Sequence, residues 1–189
     1  GIPVVGVVPL KPLDIDDEDS LSERLNHKEK KGGIDLVVVR LPHISNFTDF
    51  NVFEGMEGVS LRYVREVSEL GRPDLIFLPG TKNTMDDLAW LRESGMETAV
   101  LRCSGDGIPV VGICGGYQML GDLLEDPDNV EHGGTMRGMG LLHTKTVFSQ
   151  AKTRTRIQGR VKNEAELLEF AGKEVQGYET VSYTHLRAH

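Results

Sequence analysis

Cysteine is scarce in this sequence: Cys103 and Cys114 are the only two among 189 residues. Two thiols build no disulfide framework. Neither sits in a CxxC pair or in a Cys/His cluster with zinc spacing, so no metal site is expected. A reduced, cytoplasmic protein is the expectation. Long apolar runs are lacking too. The longest, Val4–Val8 and Leu36–Val39, fall far short of the roughly 20 residues that a membrane helix requires. The opening shows no basic leader or cleavage site, so no membrane partner is expected. Basic charge is in short supply: 21 Lys and Arg against 29 Asp and Glu leave a net charge of −8. That balance argues against nucleic acid or an anionic membrane as the main partner. A GxxxxGK[ST] phosphate loop is absent from the sequence, so this chain is not expected to bind ATP by itself.

What is present is a succession of buried strands and helices. "IDLVVVRL" from Ile34, "PDLIFLPG" (Pro73–Gly80) and "IPVVGI" (Ile108–Ile113) are apolar runs bounded by turn residues, the pattern of strands covered on both faces. "GVSLRYV" (Gly58–Val64) alternates more loosely. Ile2–Val8 reads as a further strand. Ser20 and Glu23 form a capping box for a helix over Arg24–Lys31, which Gly32 and Gly33 stop. The acidic stretch Leu13–Ser20 lacks the glycine and glutamate of a calcium loop and reads as solvated. Thr84 and Asp87 form a second capping box, with Met85, Leu88 and Leu91 on one helical face. Met96–Arg102 and Tyr117–Leu124 read as helical, and Trp90 as core. Asp126–Gly140 is polar and Gly-rich, hence a loop. Leu141–Phe148, Thr153–Val161 and Val175–Glu179 read as strands, with "TRTRIQGRVK" an exposed edge. Alternating strands and helices predict an α/β domain with a mostly parallel sheet.

One cysteine stands apart. "GICGG" (Gly112–Gly116) has the G-x-nucleophile-x-G form of an elbow between strand and helix, where bulky neighbours would collide with a sharp turn. A helix N-terminus beside a sulfur favours the thiolate, and the Gly115 amide is placed to face a developing oxyanion. Cys103 has no such frame and reads as a packing residue. "LPGTKN" (Leu78–Asn83) ends another buried strand, so its free amides at Gly80 and Thr81 share the sheet's carboxyl edge with Cys114, where open α/β sheets bind ligands.

Taken together these segments resemble a known family. "GICGGYQMLG" is similar to the nucleophile segment of class I glutamine amidotransferase domains in the cobyric and cobyrinic acid synthase branch. "VVRLPHISNFTDF" (Val38–Phe50), "PDLIFLPGTKNTMDDLAWLRESG" (Pro73–Gly95) and "VQGYE" (Val175–Glu179) resemble the cobyric acid synthase family in particular. The resemblance implies a three-layer, flavodoxin-like fold. It implies glutamine as substrate, Cys114 as nucleophile, Gly80 or Thr81 with Gly115 as oxyanion donors, and Gln118 as a wall of the glutamine pocket. "GVVPLKPLDIDDEDSL" (Gly6–Leu21) resembles the end of the family's synthetase domain. Residues 1–31 are therefore expected to be a remnant of that domain and a linker, and 32–179 the amidotransferase domain. The rest of the synthetase would bring ATP and magnesium, and would carry the corrin acceptor, adenosylcobyrinic acid a,c-diamide, on the route to cobalamin. No cofactor is expected in this chain.

The resemblance stops after Glu179. The family places a histidine downstream of "GYE", whereas residues 180–189 read "TVSYTHLRAH". That atypical tail is expected to be foreign to a domain cut short at its C-terminus. His27, His43, His132, His143, His185 and His189 each read as surface or packing residues, so turnover is expected to be impaired. Two other readings stay open: the amidotransferase of a related enzyme, such as cobyrinic acid diamide synthase or a cell-wall precursor amidase, and a domain that keeps the fold but only binds.

Overall fold

The computed structural model describes residues 33–162, 171–183 and 187–188. The strand expected at Ile2–Val8, the helix over Arg24–Lys31 and the acidic stretch between them lie outside the described residues.

A four-stranded parallel sheet carries the architecture. It is made of β1 (Ile34–Val39), β2 (Val59–Val64), β3 (Leu75–Leu78) and β4 (Val110–Gly112) in the order β2-β1-β3-β4. The order reverses between β1 and β3, as in flavodoxin-like sheets, which creates a crevice at the strands' carboxyl ends. Strand β1 shows why the layers form. Val37 and Val39 enter one apolar cluster with Leu88 and Leu91 of α3 (Thr84–Glu93) and Met96 and Val100 of α4 (Met96–Gly105). Leu36 and Val38 enter a second cluster with Phe50, Tyr63 and Phe77. A strand that is apolar throughout Leu36–Val39 presents such side chains on both faces and must be covered twice. Helices α3 and α4 cover one face. On the other lie a 3-10 turn (Phe47–Phe50) and α1 (Asn51–Glu54), whose Phe50 and Phe53 rings stand 5.2 and 5.5 Å from that of Phe77. Asp35, the polar residue in β1, is buried. Its carboxylate accepts from Arg62 Nε (2.8 Å) and Nη2 (3.0 Å). Arg62 also donates to the carbonyls of Glu69 and Leu70 at the end of α2 (Val67–Leu70), so the buried guanidinium makes four hydrogen bonds where burial demands them.

Beyond the cysteine a short helix α5 (Gly115–Met119) leads into a second sheet. It contains β5 (Leu123–Asp126), β6 (Gly134–Arg137), β7 (Thr144–Arg160), β8 (Glu174–Tyr183) and β9 (Arg187–Ala188), in the order β6-β5-β7-β8 with β9 also on β7. Three expectations are corrected here. The helix expected over Tyr117–Leu124 stops at Met119, and Leu123–Leu124 begin a strand. The loop expected over Asp126–Gly140 contains β6, which pairs antiparallel with β5 from Leu123↔Arg137 to Asp126↔Gly134. The cap of α3 is Asn83, one residue before the expected Thr84: its side chain accepts from Asp86 N at 3.0 Å. The buried face of Met85, Leu88 and Leu91 is as expected. Trp90 packs partly buried against the same cluster, with the Arg65 guanidinium 5.8 Å from its ring centre. Among the described residues no helix is long and apolar enough to cross a membrane.

Candidate active site

Strand β4 ends against β3, and the chain reverses at once. Ile113 N donates to Leu78 O at 2.9 Å, and Cys114 then takes φ 50° and ψ −114° before α5 starts. A positive φ is costly for any residue with a Cβ. The glycines around it explain how the bend closes. Gly116 N donates to Pro79 O (3.1 Å) and Ile113 O (2.9 Å). A Cβ on Gly116 would stand 2.0 Å from Leu78 O, so β3 and α5 meet backbone to backbone. The outcome is an exposed Cys114 at the apex, whereas Cys103 is buried in α4.

The turn after β3 borders this cysteine. A Cβ on Gly80 would lie 3.7 Å from Cys114 Cβ. Gly80 O accepts from Ser45 N at 2.8 Å. In a trans peptide the carbonyl and the following N–H point in opposite directions, so Thr81 N–H turns away from Ser45. Thr81 N also sits 3.4 Å from where a Gly115 Cβ would be. Pro79 O is likewise taken by Gly116, which turns Gly80 N–H away from α5. Of the two amide nitrogens expected at this turn, that of Thr81 is the one beside Gly115. Gln118 is buried one turn past the cysteine, with its backbone N on Cys114 O (3.1 Å) and its Oε1 accepting from Thr84 Oγ1 at 3.2 Å. The structure thus brings Cys114, Gly80, Thr81, Gly115 and Gln118 to one corner of the sheet.

Sequence reasoning missed three residues of that corner. Thr84, read as a cap, has its hydroxyl within reach of two acceptors, Gln118 Oε1 at 3.2 Å and the Glu131 carboxylate. Asp87, read as a capping-box acid, is wholly buried and accepts from Thr81 Oγ1 (2.5 Å), His43 Nδ1 (2.7 Å) and His43 N (3.3 and 3.2 Å to its two oxygens). His43 was read as a surface or packing residue. Its ring is half exposed but anchored, and its carbonyl accepts from Lys82 N at 3.0 Å. The other described histidines pair with exposed carboxylates: His132 with Asp86 at 2.7 Å and His143 with Asp122 at 3.3 Å.

Behind the corner, the turn between β5 and β6 folds around Asp126. Its buried carboxylate accepts from the backbone N of Val130, Glu131 and Gly133, each at 2.8 Å. Burial pushes the Asp126 carboxyl up, but these donors and that of His132 outweigh it and hold it below its ordinary value. The same turn delivers Glu131 to the start of α3, where it accepts from Met85 N at 3.0 Å. Burial raises the Glu131 carboxyl above its ordinary value, although bonds from Met85 and Thr84 oppose the shift. Among the described residues no group of three or more His, Cys, Asp or Glu is arranged to hold a metal ion.

Comparison with known proteins adds the following. A family model described as the CobB/CobQ-like glutamine amidotransferase domain matches residues 35–186. A cobyric acid synthase of Ruminiclostridium cellulolyticum is 55% identical over 179 residues, which are 94% of this chain and 35% of that protein. One from Lachnoclostridium phytofermentans is 52% identical over 94% of this chain and 35% of its own length. One from Salmonella arizonae is 50% identical over 95% and 36%. The chain thus spans about a third of the length of the curated relatives it matches. Among solved structures, PurLQS from Thermotoga maritima superposes with a TM-score of 0.61 at 19% identity, covering 82% of this chain and 70% of that one. A glutamine amidotransferase structure gives 0.51 at 18% identity, covering 76% and 70%. At those identities the likeness concerns the fold.

Proposed function

The chain belongs to the CobB/CobQ-like glutamine amidotransferase domain family, and on that premise we propose that it is the ammonia-releasing part of a cobyric acid synthase. The carrying observation is the exposed Cys114 at a positive-φ apex, beside the Gly80–Thr81 turn. An amide is a poor electrophile, and a thiolate held against preformed N–H donors is a means of activating it. Cys114 Sγ attacks the side-chain carbonyl carbon of glutamine, and charge collects on the oxygen. The amides of Thr81 and Gly115 receive that oxyanion. The carbon–nitrogen bond then breaks, and the proton that began on the thiol ends on the departing ammonia. Water hydrolyses the remaining thioester to glutamate and restores the thiol. Gln118, held by Thr84, forms one wall of the glutamine pocket.

The proton needs a carrier. The family pattern supplies a histidine after "GYE", which Thr180–His189 do not match. A chain without such a carrier would turn over glutamine about 10²–10⁴-fold more slowly, while Cys114 would keep its reactivity toward analogues. Residues 1–31 belong with a synthetase portion that uses ATP and magnesium to activate corrin carboxylates, with adenosylcobyrinic acid a,c-diamide as acceptor. The cytoplasm is the compartment in which this synthesis would run.

The test is covalent labelling. A chloromethyl ketone analogue of glutamine, followed by peptide mass mapping, should modify Cys114 with glutamine protecting, and Cys114→Ala should abolish the label. A folded chain that takes no label at Cys114 would leave the reading as a fold-retaining binding domain. Amidation of a different acceptor by the longer protein that contains this chain would reassign it to a related amidating enzyme.

A further inference from the structure

Asp87 carries a carboxylate in the first turns of α3, yet that carboxylate is not spent on its own helix. It reaches across to two loops at the sheet's carboxyl edge. Thr81 Oγ1 lies 2.5 Å from Oδ2, His43 Nδ1 lies 2.7 Å from Oδ1, and the backbone N–H of His43 is shared between both oxygens. The side chain is 0% exposed. A buried charge persists only when bonded, and here every resolved partner belongs to the ends of β1 and β3. A threonine hydroxyl has one proton to give. Thr81 Oγ1 has three acceptors within reach, namely Asp87, His43 O at 3.1 Å and Asn83 O at 3.4 Å. The charged and nearest one takes it, which leaves a lone pair for Asn83 N at 3.2 Å.

The consequence lies in the main chain. The loops after β1 and β3 are laced together by Ser45 N to Gly80 O (2.8 Å) and Lys82 N to His43 O (3.0 Å), with Ile44 and Thr81 facing each other as an isolated bridge. Asp87 grips one residue from each side of that lacing. Rotation of the Gly80–Thr81 peptide would break the Ser45 bond and drag Thr81 Oγ1 off the carboxylate. We propose that Asp87 is a positioning residue for the oxyanion site: through Thr81 Oγ1 and His43 it fixes the direction of Thr81 N–H before substrate arrives. The proposal rests on the reading of Cys114 as nucleophile and of Thr81 as a donor. Donors fixed in advance need no reorganisation at the moment of reaction.

Two probes of Cys114 separate positioning from general damage. Both reagents form a thioether as Cys114 Sγ displaces halide from the carbon beside a carbonyl, but only the chloromethyl ketone of glutamine is held in the glutamine pocket with its carbonyl at the oxyanion donors, which polarise it and speed the displacement. Iodoacetamide, which is not held there, reports the thiol alone. Asp87→Asn and Thr81→Val should lower the maximal labelling rate with the ketone by about 10- to 100-fold, the scale of a displaced donor. The ketone concentration for half-maximal rate and the iodoacetamide rate should stay unchanged, and Thr81→Ser, which keeps the hydroxyl, should restore the ketone rate. The proposal is overturned if both variants label with the ketone at the parent rate, or if the iodoacetamide rate falls in parallel. If the parent chain takes no ketone at Cys114, it is the nucleophile reading that fails, and the role of Asp87 goes with it.

Discussion

Replacing Cys114 by glycine and, separately, by alanine isolates the energy stored in the elbow. Both changes delete the thiol, which is exposed and contributes little packing. They differ in the Cβ. Alanine keeps it, and so keeps a non-glycine residue at φ 50°, ψ −114°. Glycine removes it and relaxes the local clash. A residue held in a sparsely populated region costs about 1–3 kcal/mol. Glycine gives back roughly 0.5–1 kcal/mol through the greater freedom of the unfolded chain. The net expectation is that Cys114→Gly is more stable than Cys114→Ala by about 0.5–2 kcal/mol. At ~2–4 °C per kcal/mol for a chain of this size, thermal unfolding followed by circular dichroism should separate them by a few degrees, with glycine higher. Urea melts should show the same order at an unchanged slope. Should the alanine variant equal or exceed the glycine variant, the elbow stores no strain and the account of the apex is wrong. A higher melting point obtained by removing the proposed nucleophile is the trade expected when a site is built on strain.

Two other outcomes follow from the same geometry. Gly116→Ala should destabilise by roughly 1–3 kcal/mol through overpacking, since its Cβ would meet Leu78 O at 2.0 Å; Gly55→Ala, with nothing within 4 Å of its Cβ and φ −89°, should stay within about 1 kcal/mol of the parent in a urea melt. Asp126→Asn should cost about 2 kcal/mol at neutral pH through weakened bonds to a charged acceptor. Because the folded carboxyl sits below its ordinary value of 3.8, the parent's advantage is full above that value and is lost as pH falls through the folded one. Stability curves of the two should therefore run parallel at pH 5–7 and converge in acid.

How legible these features were depended on distance along the chain. The strands of the parallel sheet could be read because burial on both faces leaves an unbroken apolar run, as in Leu36–Val39. The elbow could be read because the close approach of β3 and α5 demands glycine within two residues of Cys114. The end of α5 was hidden: Met119, Leu120, Leu123 and Leu124 keep a helical spacing across a chain that has already become strand. β6 was hidden because its partner is β5 and its turn is organised by Asp126, whose bonds no local pattern announces. The cap of α3 slipped by one residue because Asn83, Thr84 and Asp87 are all capping types, while Thr84 and Asp87 have other partners. Asp87 and His43 stand 44 positions apart. Only the parallel pairing of β1 with β3 brings them together, and no single-sequence periodicity encodes that meeting.

The two sulfurs occupy opposite situations, one outside and one enclosed by hydrophobic neighbours. A maleimide added to the native molecule therefore meets a single partner, and a second equivalent is consumed only where α4 has come away from the sheet. The chain carries its own stoichiometric gauge of integrity, one equivalent when assembled and two when open.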